Sequence, residues 1–191
     1  HDDDIDDARW EVDFTFAVPE GTKSGAYAAR LRVGGVSSAE TEDFITFFVR
    51  PPQGTATSKV CLIIPTSSYM AYSNDNLSTN SVVAELLAGK IPIMQASDLY
   101  LNEHREYGLS TYSLHSDGSG VCYSSRLRPI LNMRPKYQLH AALMGSSLHQ
   151  YNADTHITDW LEAMGHDYDV ITDEDLHYEG LDLLANYSAV I

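Results

Sequence analysis

Val60-Cys61-Leu62-Ile63-Ile64-Pro65 is the run that decides how the rest of the chain is read. Five consecutive apolar residues stopped by a proline describe a strand covered on both faces, because a strand with one wet face alternates apolar and polar side chains. Downstream, Ile157, Trp160, Leu161 and Met164 recur on one helical face, with Asp154 expected as the cap and Gly165 as the stop. Tyr168-Asp169-Val170-Ile171-Thr172 reads as the next strand. Asp173 or Asp175 is expected to cap a second helix carrying Leu176, Leu181 and Leu184, and Ala189-Val190-Ile191 opens a further strand. Strands alternating with helices through short connections predict an α/β fold, a doubly wound and mostly parallel sheet. Ligands in such sheets collect beyond the carboxyl ends of the strands, so residues 65–76 are the first place to look for a site. No GxGxxG and no P-loop follows the first strand, and neither a dinucleotide nor a nucleoside triphosphate is indicated.

Upstream the period shortens to two. Trp10, Val12, Phe14 and Phe16 share a face, and Tyr27, Ala29, Leu31 and Val33, then Phe44, Thr46 and Phe48, repeat the alternation. These strands read as the end of an antiparallel β-sandwich. Arg50-Pro51-Pro52-Gln53-Gly54 breaks all periodicity as a linker would. The expected organisation is therefore a partial sandwich-like domain and linker over residues 1–54, and the N-terminal part of an α/β domain over residues 55–191. The chain opens on HDDDIDD without an initiator methionine and stops inside an apolar run, so a piece of a longer protein is expected. The acidic opening reads as a solvated linker or strand edge, since the spacing and the glycine of a calcium loop are missing.

A chain of 191 residues, 43% of them hydrophobic, can build a folded domain. A net charge of −15 would repel phosphate backbones and acidic lipid surfaces, which argues against nucleic acid and membrane partners. Cys61 and Cys122 are too few and too scattered for a disulfide framework or a thiolate zinc site. A reducing, cytoplasmic setting is expected, because no signal-like or membrane-spanning run occurs either.

Residues 108–129, GLSTYSLHSDGSGVCYSSRLRP, hold the densest chemistry: Tyr112, His115, Asp117, Cys122, Arg126 and Arg128. Glycine and serine interrupt every apolar run, so this is a long loop, and long loops in compact domains are usually functional. The recurring aromatic and branched side chains Tyr107, Leu109, Tyr112, Leu114, Val121, Tyr123 and Leu127 are expected to pin it to a core.

Three stretches, IIPTSSYMAYSN (63–74), GLSTYSLHSDGSGVCYSSRLRPILNMRPKY (108–137) and HQYNADTHITDWLEAMGHDYDVITDEDLH (149–177), resemble the large (beta) subunit family of bacterial N,N-dimethylformamidase. The likeness covers residues 59–191 in consistent order. It implies an amidohydrolase on a class I glutamine amidotransferase-like α/β domain, with a mononuclear, ferric iron held by two tyrosines and one glutamate. The tyrosines map onto Tyr72 and Tyr112, with Tyr69 as the rival for the first position, and the glutamate falls beyond residue 191. The resemblance further implies a small amide substrate, cleaved at its C–N bond to formate and an amine, and a small partner subunit in a hetero-oligomer. The chemistry is coherent: phenolate is a hard anionic donor suited to ferric iron, and a Lewis acid polarises the amide carbonyl or acidifies a water.

Plainer readings stand beside these. A lone tyrosine at a loop margin usually packs, and only the shared motif context singles out Tyr72 and Tyr112. His115 and Asp117 could support the site or contact substrate, but an Asx-type turn with a solvated histidine fits them better. His149, Asn152, Asp154 and His156 form an apparent cluster that a capping Asp154 largely explains. Arg126 and Arg128 suit loop tethering, since a neutral amide needs no cation. Cys122 lacks a nucleophile elbow and is read as a buried or bystander thiol. Two other classes stay open: a non-catalytic binding or assembly module on a degenerate α/β domain, and a thiol hydrolase dependent on Cys122.

Overall fold

A computed structural model describes residues 4–34, 42–75, 96–141 and 145–191, with side chains left undescribed at 140–147. The first three residues of the acidic opening, and Asn76 at the end of the expected site segment, lie outside the described residues. In chain order the elements are β1 (Gly25–Arg32), β2 (Glu42–Val49), β3 (Val60–Ile64), α1 (Thr66–Ala71), α2 (Ala96–Glu103), β4 (Leu139–Ala141), β5 (Gly145–Ser147), α3 (Tyr151–Ala163), β6 (Asp169–Thr172), α4 (Asp173–Glu179) and β7 (Ala189–Val190), with 3-10 turns at Arg105–Tyr107 and Gly180–Leu184. Two compact units emerge: His1–Phe14 with Ser68–Gln150, and Thr15–Ser67 with Tyr151–Ile191. The linker expected near residue 55 falls inside the second of these.

In that second unit β3 is the central strand of a three-stranded parallel sheet, in the order β6-β3-β7. Cys61, Leu62 and Ile64 are buried, as a continuous apolar run requires. Cys61, Ile171 and Leu183 form a core against which Ile63, Leu176, Leu184 and Tyr187 pack. Asp169 is the buried exception on β6. Its carboxylate accepts the Thr57 N–H at 2.7 Å, the Ser58 N–H at 3.0 Å and the Thr57 hydroxyl, which offsets the cost of desolvating it.

The helix caps differ from expectation in an instructive way. Thr172, not Asp173 or Asp175, caps α4. Its hydroxyl accepts the Asp175 N–H at 3.1 Å while the Asp175 carboxylate accepts the Thr172 N–H at 2.9 Å, a reciprocal capping box. Asp173 instead accepts the Thr66 hydroxyl at 2.5 Å and the Ser67 N–H at 3.1 Å. Gly180, at φ +71°, ends α4 sooner than the leucine spacing suggests, so Leu183 is buried and Leu181 exposed. Similarly α3 begins at Tyr151, which puts Asp154 in the first turn, where its charge still favours the helix N-terminus, rather than at the cap. Gly165 does stop α3. With φ +72° its N–H reaches the Glu162 carbonyl and the His166 N–H reaches that of Leu161, the paired bonds of a glycine C-cap. Only Leu161 of the expected stripe is fully buried, and Trp160 and Met164 stay exposed.

β1 and β2 pair antiparallel, from Gly25 opposite Val49 to Arg32 opposite Glu42. Tyr27 stacks on Phe47 with ring centroids 5.7 Å apart. The strand expected over residues 10–16 does not form. Trp10, Val12, Phe14 and Phe16 are exposed, and no described strand pairs with their backbone. Alternation sets which face is apolar, but a strand also needs a hydrogen-bonded neighbour. No helix among the described residues is long and apolar enough to cross a membrane.

Candidate metal site

The site is built in the first unit, where the end of α1 meets the long loop. The Tyr72 N–H closes the last helical turn on the Ser68 carbonyl at 3.1 Å. The carbonyl of Ala71, left open by the helix end, accepts the Ser110 hydroxyl at 2.8 Å, the Thr111 hydroxyl at 2.9 Å and the Thr111 N–H at 3.2 Å. Ser110 in turn accepts the Tyr112 N–H at 3.0 Å. These bonds press the loop against the helix end, and Tyr112 comes to lie beside Tyr72.

The two rings are stacked, with centroids 4.0 Å apart and planes 19° from parallel. Their hydroxyls share a hydrogen bond, which with partial burial and the nearby Asp75 charge raises the Tyr72 phenol above its ordinary pKa. His149 meets the Tyr72 ring edge to face at 5.1 Å and 85°. Tyr112 keeps 54% of its surface in solvent, so the pair opens outward. Tyr69, the rival, is buried on α1.

Buried Arg128 ties the segments together. Its guanidinium donates to the Ser125 and Tyr107 carbonyls at 3.1 and 3.3 Å, and to the Ser73 and Ser124 hydroxyls at 3.0 and 3.1 Å. The Ser124 hydroxyl donates to the Met70 carbonyl at 2.5 Å. Desolvation by burial lowers the Arg128 pKa to about 10, which leaves it cationic at neutral pH. Tethering is thus what this arginine does. Of the side chains expected to pin the loop, Leu109 and Val121 are buried, whereas Tyr112, Leu114, Tyr123 and Leu127 face solvent.

The remaining sequence candidates separate. Asp117 makes the expected turn, accepting the Ser119 N–H at 2.9 Å and hydroxyl at 2.7 Å, which with the nearby His115 holds its carboxyl below the usual range. His115 is not solvated: it is 4% exposed, with Nε2 3.5 Å from an Asp4 oxygen. Cys122 is exposed rather than buried, with Sγ 3.6 Å from the Gly120 carbonyl, and Arg126 is exposed too. His149 joins the phenol pair, while Asn152, Asp154 and His156 belong to α3, His156 facing solvent.

One feature escaped the sequence reading. Tyr100 and Tyr107 form a second phenol pair, hydroxyls 3.0 Å apart, beside His104, whose Nδ1 lies 2.6 Å from a Glu106 oxygen. The spacing of 100, 104 and 107 on one helical face was the available signal. Among the described residues no group of three or more His, Cys, Asp or Glu side chains is placed to hold a metal ion.

The family described as "N,N-dimethylformamidase beta subunit-like, C-terminal" matches residues 1–191. The chain is 43% identical over 192 aligned positions to the N,N-dimethylformamidase beta subunit of Paracoccus aminophilus, and 44% identical to that of Alcaligenes sp. Each alignment covers 100% of this chain and 24% of the relative, so the chain spans about a quarter of the length of the curated relatives it matches.

Proposed function

The chain belongs to the N,N-dimethylformamidase beta subunit-like, C-terminal family, and from that premise we propose that it is part of an amidohydrolase large subunit that cleaves the C–N bond of a small N-substituted formamide to formate and an amine. The observation that carries this reading is the stacked, hydroxyl-sharing pair of Tyr72 and Tyr112. Two phenol oxygens held side by side fit a ferric ion: they are hard donors, become anionic on losing their protons, and rest on a backbone fixed by the Ala71 and Arg128 bonds. Bound there, ferric iron supplies Lewis acidity for polarising the amide carbonyl and acidifying a water.

The chain's own residues do the holding and the proton handling. Raised in pKa chiefly by its hydrogen bond with Tyr112, the Tyr72 phenol is neutral at pH 7 without a cation. The phenol protons leave on loading, and the exposed face of Tyr112 leaves room for a small substrate. A third donor, a glutamate beyond residue 191, belongs to the same proposal, as do a small partner subunit and a cytoplasmic setting. Free Cys61 and Cys122 agree with a reducing compartment. The parallel sheet around β3 is compatible with a class I glutamine amidotransferase-like scaffold. Metal analysis of the full-length protein together with dimethylformamide turnover tests the reading. One iron per large subunit and chelator-sensitive release of formate are expected; turnover without iron, or no turnover with iron bound, contradicts it.

A further inference from the structure

We propose that Asn132 is the positioning residue of the phenol pair, acting with Asn74 to hold the turn that aims Tyr72 at Tyr112; this rests on the reading of Tyr72 as a metal-holding phenol. The Asn132 side-chain amide spans three residues of that turn. Its Nδ2 donates to the Tyr72 carbonyl at 2.7 Å and to an Asp75 carboxylate oxygen at 3.2 Å, and its Oδ1 accepts the Asn74 N–H at 3.0 Å. Asn74 answers in the opposite direction. Its Nδ2 donates to the Pro129 carbonyl at 2.8 Å and its Oδ1 accepts the Leu131 N–H at 2.9 Å.

Both asparagines are 2% exposed, so no water can replace these bonds without opening the structure. Asn74 sits at φ +57°, a conformation that asparagine tolerates better than most residues and that reverses the chain directly after Tyr72. The result is a clamp of five hydrogen bonds between residues 72–75 and 129–132, the latter following the loop that carries Tyr112. Donors to one ion need placement within about 0.5 Å, and a ring standing on a free turn would not keep it. The clamp acts on the backbone of the turn that carries Tyr72 and touches neither phenol ring.

The test uses the full-length protein with Asn132→Ala and Asn74→Gly. Glycine accepts a positive φ freely, so the second substitution removes two side-chain bonds and leaves the backbone unstrained. Iron affinity by chelator competition and the visible phenolate-to-iron band are read with the thermal midpoint. In the metal-free protein, hydrogen exchange is followed in a peptide covering residues 72–75. Loss of about 10-fold or more in iron affinity with a shifted band is expected for Asn132→Ala, and a smaller loss of the same kind for Asn74→Gly, with faster exchange in both. Unchanged affinity and band in folded variants, even with a lowered thermal midpoint, would mean a merely structural clamp and overturn the proposal. If Asn132→Ala does not fold, Asn74→Gly decides by the same readouts. Tyr72→Phe separates the two layers: if it keeps iron and colour, the metal reading fails first; if it loses both while the asparagine variants keep them, only the positioning role fails.

Discussion

The ring of Tyr72 lies on that of Tyr112 with centroids 4.0 Å apart, and the two hydroxyls share a hydrogen bond that raises the Tyr72 pKa. A raised phenol pKa means that protons compete strongly with any cation at Tyr72. Iron affinity of the full-length protein is therefore expected to rise with pH across about pH 6 to 8, by up to about two decades per pH unit if both phenols lose protons on loading. Chelator competition at several pH values measures the slope. A slope of zero would mean that no phenol proton is released.

Gly108 opens the loop at φ +87°, and a Cβ there would collide with the Ile5 side chain and the Arg128 guanidinium. Gly118, at φ +83°, has open space around the same position. Gly108→Ala is expected to cost about 2 to 4 kcal/mol, combining backbone strain with displacement of Arg128, and Gly118→Ala about 1 kcal/mol. Thermal or urea unfolding of the two variants checks the order. Equal losses would show that the packing against Arg128 carries no weight.

The two cysteines should react very differently. Cys61 is fully buried on β3, and desolvation with the neighbouring Asp169 charge pushes its thiol up to about 11, whereas Cys122 is exposed. Brief treatment of native protein with a maleimide at pH 7.5 should label the Cys122 peptide and spare that of Cys61, as read by peptide mapping. Cys122→Ser should leave amide hydrolysis within about twofold of the parent, since the proposed chemistry uses no thiol. A collapse of turnover would revive the thiol hydrolase.

How much of this was legible beforehand depended on the kind of signal. β3 could be read because burial on both faces leaves five apolar residues in a row, and Gly165 because few other residues close a helix with positive φ. Thr172 was overlooked as a cap because two aspartates beside it carry the same preference, and only the reciprocal Asp175 bond chooses among them. Residues 10–16 misled, since alternation marks a face without supplying a partner. The meeting of Tyr72 with Tyr112 had no local signal; family likeness raised it, and the bonds of Ser110 and Thr111 to Ala71 explain it. Asn74 and Asn132 were silent, because asparagine in a turn is commonplace and their pairing spans 58 residues.

Acid should destabilise the second unit through Asp175. Burial alone would raise its pKa, but the Thr172 N–H, the Arg50 guanidinium at 2.7 Å and the Thr172 hydroxyl outweigh it and hold the carboxyl below its usual range. A depressed folded-state pKa gives stability that is present above the unfolded value, near ~4, and is lost as pH falls through the folded value. Asp175→Asn should thus flatten the fall in thermal midpoint below about pH 4 while lowering the midpoint at pH 7. An unchanged acid limb would remove Asp175 from the account.

The central claim, that Tyr72 and Tyr112 hold one metal ion, is tested most directly by iron content and visible spectrum of full-length Tyr72→Phe and Tyr112→Phe beside the parent. Phenylalanine keeps the stacked rings and deletes one anionic donor each time. The account predicts a coloured, iron-bearing parent, loss of the band and at least about tenfold weaker iron binding in each variant, and retained cooperative unfolding. Both variants keeping parental colour and full iron would contradict it, and would turn attention to Tyr69 and to the Tyr100–Tyr107 pair.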